Sequence, residues 1–268
     1  MEAGAAGPTP GDRLRRLGPP LLVFLVVAVA WEAVVRIVHP PAFLLPSLGA
    51  VARRLVSFGP QWPRHIWATV EATLAGFLVA VVFGVGLAIP IVFSPALSRA
   101  VTPLLVTVQI VPKIAFAPFF LVWFGLGITS KVMVAFLVAF FPVVVNTAIG
   151  LVQIEPDLLD LARSLKTSRV WVFRKIRFPN AMPYIFGGLR VASTLAVIGA
   201  IIAEFVGSDV GLGYLIVIAN NQLDTALGLA AIVLLSAFGL LLYGGIVLLE
   251  RLAMPWHVRE SGGLGAAA

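Results

Sequence analysis

With 268 residues, 60% of them hydrophobic and 12% charged, and a mean hydropathy of +1.04, the chain reads as one membrane domain whose short loops leave no room for a second folded domain. Cys is absent, which excludes a disulfide framework, a thiolate metal site and a Cys nucleophile. The net charge of +7 points, by its placement, to a basic membrane face rather than to nucleic acid.

Residues 1–19 are rich in Gly, Ala and Pro and are expected to form a disordered tail, with Arg13, Arg15 and Arg16 anchoring it beside the membrane. The first apolar segment, Pro20 to Val38, has about the twenty residues that a crossing requires. It lacks a small-residue cleavage site and reads as a retained span rather than a signal peptide. Glu32 and Arg36 are spaced for a local i,i+4 pair. His39-Pro40-Pro41 ends the span, and Pro46-Ser47 opens a short helix. Leu48, Val51, Leu55 and Phe58 form its apolar stripe opposite Arg53 and Arg54, the pattern of an interfacial helix. These elements make up residues 20–68. A core of five further spans over 69–250 is expected at about 69–93, 101–124, 131–151, 183–206 and 226–249, with a tail at 251–268.

The basic residues orient these spans. With the N-terminus inside, positions 13, 15, 16, 99, 163, 166, 169, 174, 175, 177, 251 and 259 fall in cytoplasmic segments, whereas only Arg53, Arg54 and Arg64 lie in outer loops. The positive-inside rule then puts both termini and the loop 152–180 in the cytoplasm. The segment 101–124 carries Pro112 and Pro118, each of which removes a backbone donor and bends a helix, and Pro142 bends the next span. Such breaks serve packing or line a water-filled path. After the fifth span, Gly207 to Gly213 interrupts the helix, and Tyr214 to Ala219 is apolar but too short to cross. It is expected to dip into one leaflet and return through Asn220, Asn221 and Gln222, or to cover the bundle as a surface loop. Gly211-x-Gly213 is not a phosphate loop, since no Lys-Ser/Thr follows.

Ionisable groups at membrane depth are costly and attract functional readings. Lys113 lies about twelve residues into its span, roughly 18 Å deep. It is either buried in a pair with Glu204 or a cavity cation that draws an anion. Glu204, near the end of the fifth span, is its partner or a gate residue. Arg190 is expected to snorkel to the cytoplasm. Gln109 and Asn146 line a path or bond between spans. His39, His65 and His257 fall in loops or tails and are assigned solvation alone.

The longest charged run is Asp157 to Pro179, DLLDLARSLKTSRVWVFRKIRFP, with Arg163, Lys166, Arg169, Arg174, Lys175 and Arg177. Leu158, Leu161, Ala162 and Leu165 recur at helical spacing, as do Val170, Phe173 and Ile176, so two short amphipathic helices are expected, with Ser168 as an N-cap between them. The stretch resembles the cytoplasmic coupling loop of ABC-importer permeases, whose pattern is Glu-Ala-Ala, three residues, Gly, nine residues, Ile, one residue, Leu-Pro. The matching positions are Asp160-Leu161-Ala162, Lys166, Ile176 and Phe178-Pro179. Leu161 and Lys166 depart from the pattern. Because Lys avoids the left-handed angles that Gly tolerates, the turn is expected to shift onto Thr167-Ser168. PKIAFAPFFLVWFG, FFPVVVNT and AEFVGSDVGLGYLI extend the similarity to permeases of the nitrate, sulfonate, taurine and bicarbonate group, over nearly the whole chain after about residue 20.

The resemblance implies an all-α membrane fold of the type I importer class, with six transmembrane helices and cytoplasmic coupling helices. It implies a bacterial inner-membrane permease subunit that moves a small solute, of sulfonate, nitrate, bicarbonate or organic-acid type, by alternating access. It also implies no catalytic site and no cofactor on this chain, with ATP and Mg bound by two separate ATPase subunits. The other partners would be a second permease copy in a homodimer, an extracytoplasmic solute-binding protein and the lipid bilayer. Asp160, Ala162, Arg163, Ser164, Leu165, Lys166 and Thr167 would couple to the ATPase. Gln109, Lys113, Asn146, Glu204, Gly211 and Gly213 would line the path or gate it. The residues themselves agree with a non-enzyme, since they hold no Walker A lysine motif, metal-ligand cluster or credible nucleophile-base arrangement. A self-sufficient ion-coupled carrier using Lys113 and Glu204 is the rival reading, weakened by few membrane carboxylates and no evident inverted repeat. An intramembrane hydrolase lacks paired catalytic residues.

Overall fold

The computed structural model describes residues 10–255, which fold into helices joined by short turns, with no strand among the described residues. The helices are α1 (Pro10–Val38), α2 (Leu48–Ser57), α3 (Trp62–Phe93), α4 (Pro95–Ile110), α5 (Ala117–Phe124), α6 (Ile128–Val152), α7 (Pro156–Ser164), α8 (Arg169–Val172), α9 (Phe178–Val206), α10 (Leu212–Asn221) and α11 (Thr225–Ala253). Five are long and apolar enough to cross a membrane: α1, α3, α6, α9 and α11. The sixth expected crossing, 101–124, is divided. Pro112 cannot donate a backbone hydrogen bond and biases Val111 away from helical angles. Val111 is accordingly extended, and α4 stops at Ile110. A 3₁₀ turn, Lys113–Phe116, then leads into α5, where Pro118 sits in the first turn and is tolerated there.

The described residues form two compact units. One contains residues 10–59 and 218–230. Here α1 starts at Pro10, so residues 10–19 do not form the expected structureless tail; residues 1–9 and 256–268 lie outside the description. Pro at a first helical position is pre-set for the turn, and the run Arg13-Leu14-Arg15-Arg16-Leu17 is made of good helix formers. The expected Glu32–Arg36 pair forms, with 3.1 Å between Oε1 and Nε, and Oε2 also accepts from the Leu48 N–H at 3.2 Å. Ser47 Oγ caps α2 by accepting from the Ala50 N–H at 3.1 Å. Trp31 Nε1 donates to the Pro46 carbonyl at 3.0 Å. Arg54 pairs with Asp224 at 2.6 Å, and the Thr225 hydroxyl donates to the Phe43 carbonyl.

The other unit, residues 60–217 and 231–255, is built on α3, α6 and α9. The buried face of α3 carries a small residue at every fourth position: Ala72, Gly76, Ala80, Gly84 and Ala88. The buried face of α9 does the same with Gly188, Ala192, Ala196 and Ala200. In a bilayer, where apolar burial between helices gains little, small residues let backbones approach and gain dispersion contacts. A Cβ on Gly76 would stand 2.9 Å from the Val132 carbonyl oxygen, one on Gly84 2.8 Å from Val143 Cβ, and one on Gly199 2.7 Å from Ala135 Cα. Ala135, fully buried, is thus clasped from both sides. Pro142 leaves α6 continuous.

Candidate functional site

The basic loop folds much as its pattern predicts. Ser168 Oγ accepts from the Trp171 N–H at 3.2 Å and opens α8, which runs through a π-turn at Phe173–Arg177 into α9. Leu158, Leu161 and Leu165, 44%, 57% and 65% exposed, stand three and four residues apart and form one outward apolar stripe. Ala162 does not join them. It is buried, and its carbonyl accepts from the Thr167 N–H at 3.2 Å and the Thr167 hydroxyl at 2.9 Å. That N–H bond spans five residues and closes α7 in the Schellman manner, which requires the residue before Thr167 to be left-handed. Lys166 takes that conformation, with φ of 50°. The turn therefore stays at Lys166 and does not move to Thr167-Ser168, because the carbonyl cap of α7 outweighs the strain of a non-glycine there. Ser164 turns its hydroxyl onto the Asp160 carbonyl of its own helix at 2.7 Å. Asp160 is exposed. The side chain of Arg163 lies outside the description, as does that of Gln109.

A second polar cluster lies where α9 gives way to α10. Glu204 is 1% exposed. Its carboxyl accepts from Thr69 Oγ1, 2.8 Å from Oε1, and from the Gly213 N–H, 2.7 Å from Oε2. Thr69 Oγ1 in turn accepts from the Leu212 N–H at 2.8 Å. Two orphan donors of the first turn of α10 are thereby satisfied, so Glu204 and Thr69 together cap that helix. Gly211 has φ of 132°, open only to glycine, and a Cβ there would overlap the Glu204 carboxyl. Lys131, also buried, donates to the Val210 carbonyl at 2.9 Å, and its charge bears on Glu204. His65 Nδ1 lies 3.1 Å from the Gly211 nitrogen and 3.2 Å from its oxygen. With its proton on Nε2 the neutral ring accepts at Nδ1 from the N–H, and a ring protonated at Nδ1 donates to the carbonyl. The ring lies parallel to that of Tyr214, with centroids 6.0 Å apart.

Of the two readings of Lys113, a pair with Glu204 is not formed among the described residues, where Glu204 is held by Thr69 and Gly213. Lys113 Nζ instead lies 4.9 Å from the centroid of the Phe141 ring, at the start of the 3₁₀ turn that interrupts α4 and α5. An ammonium over a ring face is attracted by its quadrupole. Asn146 bonds within its own helix. Its Nδ2 donates to the Pro142 carbonyl one turn back, at 2.8 Å. Arg190 pairs with Glu250 of α11. His65 is no solvated loop residue, and Lys131 and Thr69 carry as much of the cluster as Glu204 does. The available signal was the spacing of His65, Thr69 and Thr73, one polar face at i,i+4 steps along an apolar helix; Thr73 Oγ1 donates to the Thr69 carbonyl at 2.7 Å.

Residues 80–253 match the family described as binding-protein-dependent transport system inner membrane component. Among curated relatives, the riboflavin transport system permease protein RibX of Chloroflexus aurantiacus is 39% identical, with 90% of each chain covered. The formylaminopyrimidine transport permease protein ThiX of Halalkalibacterium halodurans is 35% identical over 90% of this chain and 96% of its own. The taurine transport system permease protein TauC of Escherichia coli is 29% identical over 87% of each. In fold, the chain resembles the MetNI methionine ABC transporter in inward-facing conformations, with a TM-score of 0.60 and 18% identity, over 77% of this chain and 97% of that one.

Proposed function

This chain belongs to the binding-protein-dependent transport system inner membrane components, and we propose that its loop from α7 through α8 is the handle by which ATP hydrolysis drives it. It is the membrane-spanning permease subunit of an ABC importer for a small solute, is not itself an enzyme, and leaves ATP hydrolysis to a separate protein. In the finer reading, both termini and the loop face the cytoplasm and the cradle around Glu204 faces outward. Two copies enclose the path, each seated on one ATPase subunit that binds ATP and Mg, and a solute-binding protein delivers from outside. The observation that carries this reading is the exposed stripe of Leu158 and Leu161 on α7 and Leu165 just after it. An outward apolar face on a loop bounded by basic residues gains most by entering a protein groove.

Two solute classes compete. Relatives named for riboflavin and formylaminopyrimidine align with nine-tenths of the chain at 39% and 35% identity, which supports a planar heteroaromatic solute. Lys113, held over Phe141 at the break after α4, supports an anionic one, in line with relatives named for taurine, nitrate and bicarbonate. Proteoliposomes holding the permease with its own ATPase and binding protein test both. ATP-driven accumulation of riboflavin or formylaminopyrimidine without that of taurine or nitrate decides for the first. Lys113→Gln should lower uptake of an anionic solute and spare that of a neutral one. Leu161→Asp should abolish uptake while the chain remains inserted, because docking would desolvate the added carboxylate. Wild-type uptake by Leu161→Asp would refute α7 as the coupling surface.

A further inference from the structure

We infer that the cavity between α7, α8 and the end of α3 binds a phosphate-bearing anion, of the kind carried by an acidic phospholipid headgroup. The cavity has a volume of about 480 Å³, and its wall includes Val92, Phe93, Ala162, Thr167, Arg169 and Arg177. Its chemistry is divided. Two guanidinium groups and a hydroxyl-bearing residue supply the polar part, and aliphatic and aromatic side chains the rest.

Neither guanidinium is neutralised by a carboxylate among the described residues. Arg177 gives one N–H to the Leu151 carbonyl at 2.9 Å and lies with Cζ 5.7 Å from the centroid of the Phe93 ring. That leaves most of its five donors unused. Arg169 makes no ion pair among the described residues. Two guanidinium groups at one cavity, each able to present a planar fork, match the oxygens of a phosphate better than they match water. Arg174 and Lys175 of the adjacent π-turn are exposed and add long-range attraction for an anion.

The position favours a lipid. The helical stretch that begins at Arg169 runs through Val206, 38 residues, or about 57 Å of helix against a hydrocarbon core of roughly 30 Å. Its basic first turns therefore lie at headgroup level. Phe93 is the last residue of a spanning helix and marks the same boundary. Basic pockets at the ends of spans are where acidic headgroups are held. Val92 and Phe93 would then meet the start of the acyl chains while the phosphate sits against Arg169 and Arg177.

The test uses the full-length chain in detergent micelles, titrated with phosphatidylglycerol, phosphatidylcholine or inorganic phosphate, with bound lipid counted by native mass spectrometry. Phosphatidylglycerol should bind and phosphatidylcholine should not compete. Arg169→Gln should weaken phosphatidylglycerol roughly tenfold, as expected for loss of one charge-assisted contact. Arg169→Lys, which keeps the charge and guards against misfolding, should fall between the two. Arg174→Gln, an equal loss of charge beside the cavity, should change binding by less than about twofold. Inorganic phosphate that displaces the lipid at equal concentration would identify a free anion as the occupant of this site, and failure to displace it would identify the lipid. Equal losses in Arg169→Gln and Arg174→Gln, or equal binding of phosphatidylcholine, would overturn the site. So would unchanged lipid binding by Arg169→Gln combined with weakened ATPase co-purification, which would assign the cavity to a protein side chain.

Discussion

Thr69→Val is the sharpest probe of the cradle, because valine matches threonine in shape and removes only the hydroxyl. Thr69 Oγ1 donates to the buried Glu204 carboxyl and accepts from the Leu212 N–H, each at 2.8 Å. Loss of a bond to a charged group costs about 1.5–3 kcal/mol, and stranding a buried N–H about 1–3 kcal/mol more, so roughly 3–5 kcal/mol is at stake. Glu204→Gln should cost far less, about 1 kcal/mol. Its amide oxygen can still accept from the Gly213 N–H, and its NH₂ can donate to Thr69 Oγ1. The threonine proton is then free to turn to the His65 carbonyl, 3.3 Å away. Thermal unfolding of the full-length chain in detergent should show Thr69→Val lowered by roughly 10 °C and Glu204→Gln by only a few degrees. A Thr69→Val midpoint equal to wild type, or a Glu204→Gln loss larger than that of Thr69→Val, would refute the capping argument.

Lys166→Gly should stabilise the chain by up to about 1 kcal/mol and so raise the unfolding midpoint slightly, since glycine relieves a left-handed lysine at some cost in chain entropy; a lowered midpoint counts against strain at φ of 50°. Glu250→Gln leaves Arg190 partly buried without its partner and should cost about 1–3 kcal/mol after allowance for its partial exposure. Adding Arg190→Met should recover most of that loss in a double-mutant cycle, and strictly additive losses would argue against the pair. Cysteines placed at Ser168 and Ser208 of this cysteine-free chain should react with impermeant reagents from opposite sides of the membrane, Ser168 from the cytoplasm alone; labelling of both from outside would invert the orientation.

The fold was legible where the chemistry is local. Apolar length identifies spans, and i,i+4 spacing identifies the Glu32–Arg36 pair. Ser47 and Ser168 mark helix starts because an N-cap needs only its own next turn. Strain balances were not legible. Pro112 signals a bend, but a bend and a full break differ by how Val111 and the 3₁₀ turn after it are held, which residue identity leaves open. Lys166 in a glycine position argues for a displaced turn, yet the Ala162 carbonyl that Thr167 caps decides otherwise. Glu204 is conspicuous by its depth, but its partners are one side chain 135 residues earlier and a backbone N–H. A backbone N–H has no identity to read, so the sequence offers Lys113, the other conspicuous charge, as one candidate partner. Arg190 and Glu250 fail to stand out as a pair because they lie 60 residues apart in the chain, on two different helices.

The two polar regions are not independent in the fold. The 32 residues of α3 span about 48 Å, with Thr69 at the Glu204 cradle and Val92 and Phe93 at the basic cavity. Between them, Ala72, Gly76, Ala80, Gly84 and Ala88 hold the helix so close to its neighbours that a single added Cβ would meet backbone or side-chain atoms within 3 Å at Gly76 and Gly84. Contacts of that kind do not slide, since a shift of less than one residue already drives atoms into overlap. The core of α3, α6 and α9 is therefore the stiff part of the unit, and its compliance is confined to the breaks: Val111-Pro112, Gly125 with its φ of 78° and Gly211 with its φ of 132°. Lys113 stands beside the first of these breaks and Glu204 beside the last. If the loop after α6 couples to an ATPase as proposed, a pull on it would reach both charged sites through this closely packed core.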